Sequence, residues 1–190
     1  MAEGAGGRQD ELSVPLPVAH ALIGATLAVA SLSVNHSRRW PTILAAAILA
    51  ISPDFDFFMV WVLDLGNEWH RGFSHSLVVA TSAAVLLWIA LPHRRDEILA
   101  CSLAVASHGV LDALATEGGG GVALFWPLTQ ERFHFGLLSW LAADYVEGPI
   151  SAGGAVYWLL HRSLIEALAC LPLFALVVAW KRQRRLPDGI

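Results

Sequence analysis

Five apolar stretches, at about 17–34, 41–63, 75–92, 97–115 and 155–180, constrain this 190-residue chain more than anything else in it. A helix that crosses the hydrocarbon core of a bilayer needs about 17–25 mostly apolar residues, and its backbone polar groups must pair within the segment. With 56% hydrophobic and 15% charged residues, the chain is too apolar for an ordinary water-soluble domain of this length. The expected fold is therefore all-α: a polytopic membrane helix bundle with about five transmembrane helices. Residues 1–13 read as a disordered polar N-terminus, 14–185 as a single helical membrane domain and 186–190 as a C-terminal tail. Pro15 and Pro17 suit the approach to a helix or its first turn. The Gly118–Gly121 run closes the fourth stretch. Phe125-Trp126-Pro127-Leu128 then opens an interfacial loop expected to carry one short helix near 134–145.

Charge sets the orientation and excludes some partners. A formal net charge of −4, with no basic patch on a polar segment, speaks against a nucleic-acid partner. The start of the chain carries Glu3, Asp10 and Glu11 against a single Arg8, the wrong polarity for a cleaved secretory signal. Cys101 and Cys170 both fall in apolar stretches and read as small core residues. Of the 12 Lys and Arg residues, eight (Arg38, Arg39, Arg94, Arg95, Lys181, Arg182, Arg184 and Arg185) fall at alternate ends of the stretches. Basic residues concentrate on the cytoplasmic side. An integral protein of the cell or inner membrane is expected, with its N-terminus outside and its C-terminus cytoplasmic.

That orientation gathers the remaining ionisable groups at one depth. His20 lies near the outer start of the first stretch, Asp54 and Asp56 near the outer end of the second, His70 and His75 at the start of the third, and His108 and Asp112 at the end of the fourth. Ionisable residues in or beside membrane spans cost a few kcal/mol or more and are functional candidates by default. His108 and Asp112 are one helical turn apart and can share an ion. A helix that unwinds at Pro53 lets one of Asp54 and Asp56 face a metal while the other orients a histidine. Gly72 can bend the chain so that His70 and His75 converge, with Ser74 capping the third helix. The forked guanidinium of Arg71 suits an anionic oxygen of a substrate. Glu166 can reach the site from the fifth helix as a further carboxylate. Each residue also has a bland reading: single histidines often bond a carbonyl, and Asp–Arg pairs can be interhelical glue. His36 and His93 read as solvated loop residues, and His134 and His161 stay unassigned.

The sequence contains no HExxH, GxSxG, GxxxxGK[ST] or strand-borne GxGxxG motif. What remains is metal-assisted hydrolysis, in which His and Asp hold one or more Zn²⁺-type ions, water becomes nucleophilic near neutral pH, and a free carboxylate acts as general base. The rivals are a metal or proton transporter and a non-catalytic membrane protein with a structural metal.

His20, Pro53-Asp54-Phe55-Asp56, His70-Arg71-Gly72-Phe73-Ser74-His75-Ser76, Ser107-His108 through Leu111-Asp112, and Phe125-Trp126-Pro127-Leu128 occur in this order over about residues 20–130. In order and spacing they resemble the YdjM-like, LexA-regulated family of membrane-bound metal-dependent hydrolases. That family is distantly similar to the zinc-dependent phospholipase C and single-strand nuclease superfamily. The resemblance implies phosphoester chemistry with a divalent metal, Zn²⁺ first and Mn²⁺ as an alternative. The superfamily's second downstream HxxxD or HxxxE is missing; His161 and Glu166 stand at a different spacing, so one or two ions are expected rather than three. A site at the membrane–water boundary favours a lipid-like, amphiphilic substrate.

A reporter fused after Arg185 is expected in the cytoplasm and one inserted in the Gly118–Gly121 run outside. Finding both on one side would end the five-span topology and the common depth of the His and Asp residues.

Overall fold

The computed structural model describes residues 17–66, 69–116, 120–141 and 151–184. Its helices are α1 (Pro17–Ser31), α2 (Arg39–Ile51), α3 (Asp56–Trp61), α4 (Leu77–Ala90), α5 (Arg95–Ala115) and α6 (Ala152–Gln183). A 3₁₀ turn at Ser52–Phe55 joins α2 to α3. Among the described residues the only β pairing is an isolated bridge between Val122 and Phe133. The segments 1–13 and 186–190 lie outside the described residues, as do Gly118 and Gly119.

Among the described residues, three helical stretches are long and apolar enough to cross a membrane: Arg39–Val60, Pro92–Ala115 and Gly153–Gln183. The other two expected spans are shorter. α1 has 15 residues and α4 has 14, rising about 22 and 21 Å against a hydrocarbon core of about 30 Å. Each is cut by local chemistry. After Ser31 the chain turns, and His36 N–H closes on the Ser33 carbonyl at 3.3 Å. α4 begins where Ser76 accepts hydrogen bonds from the Val78 and Val79 N–H groups, and it ends just before Pro92. The cap is Ser76, not Ser74 as the spacing suggested. Of the short helix expected near 134–145, the described residues hold one 3₁₀ turn, Ser139–Leu141.

α1 sits centrally, against α2, α5 and α6, while α4 leans chiefly on α5. Small side chains make this close packing possible. Ala25, Ala28, Ala46, Ala50, Ala100 and Ala104 line the shared core with Val29, Leu32 and Ile43. Such small-residue seams are how helices associate in lipid, where burial of apolar surface drives nothing. Gly24 leaves no room for a side chain: a Cβ there would lie 2.5 Å from that of Ala50. Outward faces are apolar, with Leu86, Ile89, Leu160, Leu168 and Leu176 all exposed, as suits contact with acyl chains.

α6 grips α1 at both ends. The buried Glu166 carboxylate accepts the Ala19 N–H at 2.9 Å, and Lys181 Nζ donates to the Leu32 carbonyl at 2.8 Å. Ala19 to Leu32 and Glu166 to Lys181 span about 20 and 22 Å along parallel helices, so the two contacts share a register. A carboxylate at the N-terminus and an ammonium at the C-terminus also complement the α1 dipole. Glu166→Ala is expected to destabilise the fold by about 1–3 kcal/mol by leaving a buried N–H without its acceptor, whereas Glu166→Gln keeps an acceptor and most of the stability. Thermal unfolding in detergent distinguishes them, and equal loss in both variants would contradict the capping role.

Candidate metal centre

Pro53 follows the C-terminal end of α2. A proline has no N–H to return to the preceding turn, so the carbonyls before it take other donors. Ser52 Oγ donates to the Leu49 carbonyl at 2.8 Å, and His108 Nδ1 from α5 reaches the Ala50 carbonyl at 2.7 Å. The 3₁₀ turn that follows separates the two carboxylates. Asp54 joins the histidines of the bundle, and Asp56 faces the His70–Ser76 loop.

Asp56 organises that loop. Its carboxylate takes His70 Nδ1 at 3.1 Å, Arg71 N–H at 2.8 Å and Ser74 Oγ at 3.0 Å. Arg71 holds a left-handed φ of +52°, an uncommon conformation for a residue with a Cβ and one that costs on the order of 1 kcal/mol. The bend expected at Gly72 is present, and it continues the turn at Arg71 that the hydrogen bond to Asp56 sustains. Ser74 Oγ also lies 2.9 Å from His75 Nδ1. The loop then presses on α5 at Gly109, where any Cβ would collide with the His75 carbonyl.

These contacts bring Asp54, His75, His108 and Asp112 together, with one donor atom from each lying within 4.8 Å of the others. His75 Nε2 is 3.0 Å from His108 Nε2, 3.2 Å from Asp112 Oδ2 and 3.9 Å from Asp54 Oδ1. His108 Nε2 is 3.3 Å from Asp54 Oδ1 and 3.6 Å from Asp112 Oδ2. Donors on a tetrahedral ion at ~2.0–2.1 Å stand about 3.3 Å apart, so the edges of this group already approximate a coordination shell.

Tautomers strengthen the fit. The Ala50 carbonyl can only accept, so the nitrogen facing it, His108 Nδ1, carries the proton. Ser74 Oγ gives its own proton to Asp56 and accepts from His75 Nδ1. In the neutral rings both Nε2 atoms then present lone pairs to each other at 3.0 Å. Two lone pairs between two carboxylates repel unless a cation or an extra proton lies among them. Neither Asp112 oxygen has a well-aligned hydrogen-bond donor, although the residue is 1% exposed. A divalent ion fits these donors.

The other expected ligands surround this group. His20 stacks on His108 at 3.9 Å between ring centroids and sets Nε2 3.2 Å from Asp112 Oδ1. His70 stacks on Phe57 and is held by Asp56, outside the four-residue group; its buried Nε2 has no hydrogen-bond partner. Arg71 is 2% exposed and gives its backbone N–H to Asp56. Glu166 sits at the start of α1 rather than among the ligands. His161 stacks on Tyr157, and His36 is not simply solvated, standing 3.6 Å from Glu97. Sequence reasoning missed two supports, Gly109 and Arg132. The first had a visible signal in its place beside His108. The second had none: its guanidinium closes on the carbonyls of His70, Gly120 and Gly121 from far along the chain.

Fold and site together define a helical membrane protein with a buried His/Asp group able to hold a metal ion. The chain belongs to the YdjM inner membrane protein family, whose model matches residues 16–186. It is 37% identical over 98 residues to the inner membrane protein YbcI of Escherichia coli (strain K12), a match covering 48% of this chain and 56% of that relative. No solved structure matches it.

His108→Ala is expected to abolish divalent-metal binding, and Asp56→Ala to weaken it about 10–100-fold by releasing His75 and the loop without removing a ligand. Competition with a chelating dye measures both. Unchanged affinity in Asp56→Ala would remove that carboxylate from the support of the site.

Proposed function

We propose that the protein is a membrane-bound, metal-dependent hydrolase that cleaves a phosphoester of a lipid-like substrate. The reading is carried by one observation: the Nε2 atoms of His75 and His108 stand 3.0 Å apart between buried and half-buried carboxylates. Asp54, His75, His108 and Asp112 hold the ion, and His20 steadies Asp112 or ligates a second ion. Zn²⁺ suits this donor set best, with Mn²⁺ as the alternative. The ion supplies a Lewis acid and a nucleophile at neutral pH.

The remaining residues divide the work. Asp54 has a side chain 22% exposed, against 0–1% for the other three, so the reacting side of the site opens there. It is the carboxylate placed to accept a proton from the attacking water. Asp56 keeps the proton of His75 on Nδ1. Arg71 adds a buried positive charge beside the site and favours an anionic phosphoryl group, while Glu166 acts at a distance by fixing α1. α1 and α4 complete a five-span bundle, with local bilayer thinning accommodating their length. The N-terminus is outside, which puts the site at the outer boundary, where an amphiphile can enter with its tail still in lipid.

A structural metal is the second reading, and the donor count favours it: four protein ligands can close a tetrahedral shell with no exchangeable position. A transporter fares worse. The described ionisable residues at the opposite end are mainly the basic Arg38, Arg39, Arg94 and Lys181, with Glu97 paired among them, so no chain of titratable groups crosses the bundle.

Purified protein loaded with Zn²⁺ or Mn²⁺ is expected to hydrolyse amphiphilic phosphoesters faster than soluble ones, and chelation to stop it. Asp112→Ala should lose metal and turnover together. Arg71→Ala should keep its metal while kcat/KM falls roughly 10²-fold, the effect of losing about 1.5–3 kcal/mol of charge-assisted interaction. Full metal loading with no turnover on any phosphoester, and unfolding on chelation, would favour the structural metal.

A further inference from the structure

A second cavity lies on the other side of the His70–Ser76 loop. It encloses about 350 Å³ and is lined by Trp69, Gly72, Phe73, Ala123, Trp126, Gln130 and Arg132. That size falls at the lower end of the roughly 300–1,000 Å³ typical of small-ligand pockets. Three aromatic rings form its walls, Phe73 meeting Trp69 edge-on at 6.0 Å and Trp126 at 6.2 Å. Its polar side comes from Gln130 and from Arg132, which is braced on the His70, Gly120 and Gly121 carbonyls. The loop ties this cavity to the metal centre. Gly72 and Phe73 lie between Arg71 and Ser74, both of which hydrogen-bond to Asp56.

We propose that this cavity is a carbohydrate subsite, taking a sugar ring of the amphiphile whose phosphoester faces Asp54 and Asp112. The second half of that statement rests on the hydrolase reading; the first does not. A pyranose has apolar C–H faces and a rim of hydroxyls, and this lining matches both, with indole and phenyl faces for the former and the Gln130 amide, beside the braced charge of Arg132, for the latter. Other headgroup chemistries match less. An acyl chain would offer nothing to the Gln130 amide or to the charge of Arg132 on the cavity's polar side. A quaternary ammonium is the usual guest of an aromatic cage, but here it would share the cavity with the charge of Arg132.

The test uses the full-length protein, zinc-loaded, in a detergent that contains no sugar. Saturation-transfer NMR follows N-acetylglucosamine as probe, with phosphocholine as competitor. Wild-type protein should give a saturable sugar signal that phosphocholine does not displace. Trp69→Ala and Gln130→Ala should each weaken sugar binding about tenfold, as expected for losing one stacking face or one neutral hydrogen bond. Trp69 is 38% exposed and Gln130 also faces solvent, so both variants should fold and retain metal content. No sugar signal, a signal that neither substitution weakens, or displacement by phosphocholine would overturn the subsite. Binding is read without turnover, so a protein that binds the sugar but cleaves no phosphoester would refute the hydrolase reading and leave the cavity's assignment standing.

Discussion

Asp56 and Asp112, two of the carboxylates buried in this small-residue bundle, are the constraint around which the rest of the structure is arranged. An ionised carboxylate removed from water costs several kcal/mol unless donors or charge surround it. Asp56 is surrounded by donors, from His70, Arg71 and Ser74. Asp112 is surrounded by imidazoles, from His20, His75 and His108. The first arrangement is complete within the chain. The second is not: with Nδ1 of His108 and of His75 directed at Ala50 and Ser74, Asp112 gains positive charge only from an added proton or a cation among the Nε2 atoms. This difference separates a carboxylate that supports a site from one that helps hold an ion.

Backbone exceptions make the arrangement possible. Pro53 frees the Ala50 carbonyl for His108, Gly109 lets the loop approach α5 closely enough for His75 to meet His108, and Arg71 accepts a left-handed turn so that its N–H reaches Asp56. Each exception weakens a local rule of helix or loop formation, and each lies within a few residues of the ligand group. Away from the site the packed helices are seamed by small residues. Rigidity there is useful: Glu166 and Lys181 hold α1 in one register, and His20 is the residue next to the held N–H.

Much of this was legible in the chain. Hydropathy alone pointed to a helical membrane protein, because apolar runs of this length have few other ways to satisfy their backbone. Asp54, His75, His108 and Asp112 stood out as polar residues at the ends of such runs, and the structure gathers these four. Span count was less legible. Hydropathy does not register that Ser76 and the turn after Ser31 stop a helix, so two apolar runs of expected spanning length carry helices of only 14 and 15 residues.

Sequence determined which side chains were available for metal chemistry and, through charge, on which side of the bundle to expect them, since both follow from residue type and order along a helix. Only the tertiary structure decided their roles. Asp54 and Asp56 are indistinguishable as residue types two positions apart, yet one meets His108 and the other the His70–Ser76 loop. Glu166, one acid in an apolar helix, proves to be the acceptor for α1 rather than a member of the ligand group. The reason is physical: a carboxylate's role is set by which donors surround it, and here those donors come from segments 14 to 147 residues away.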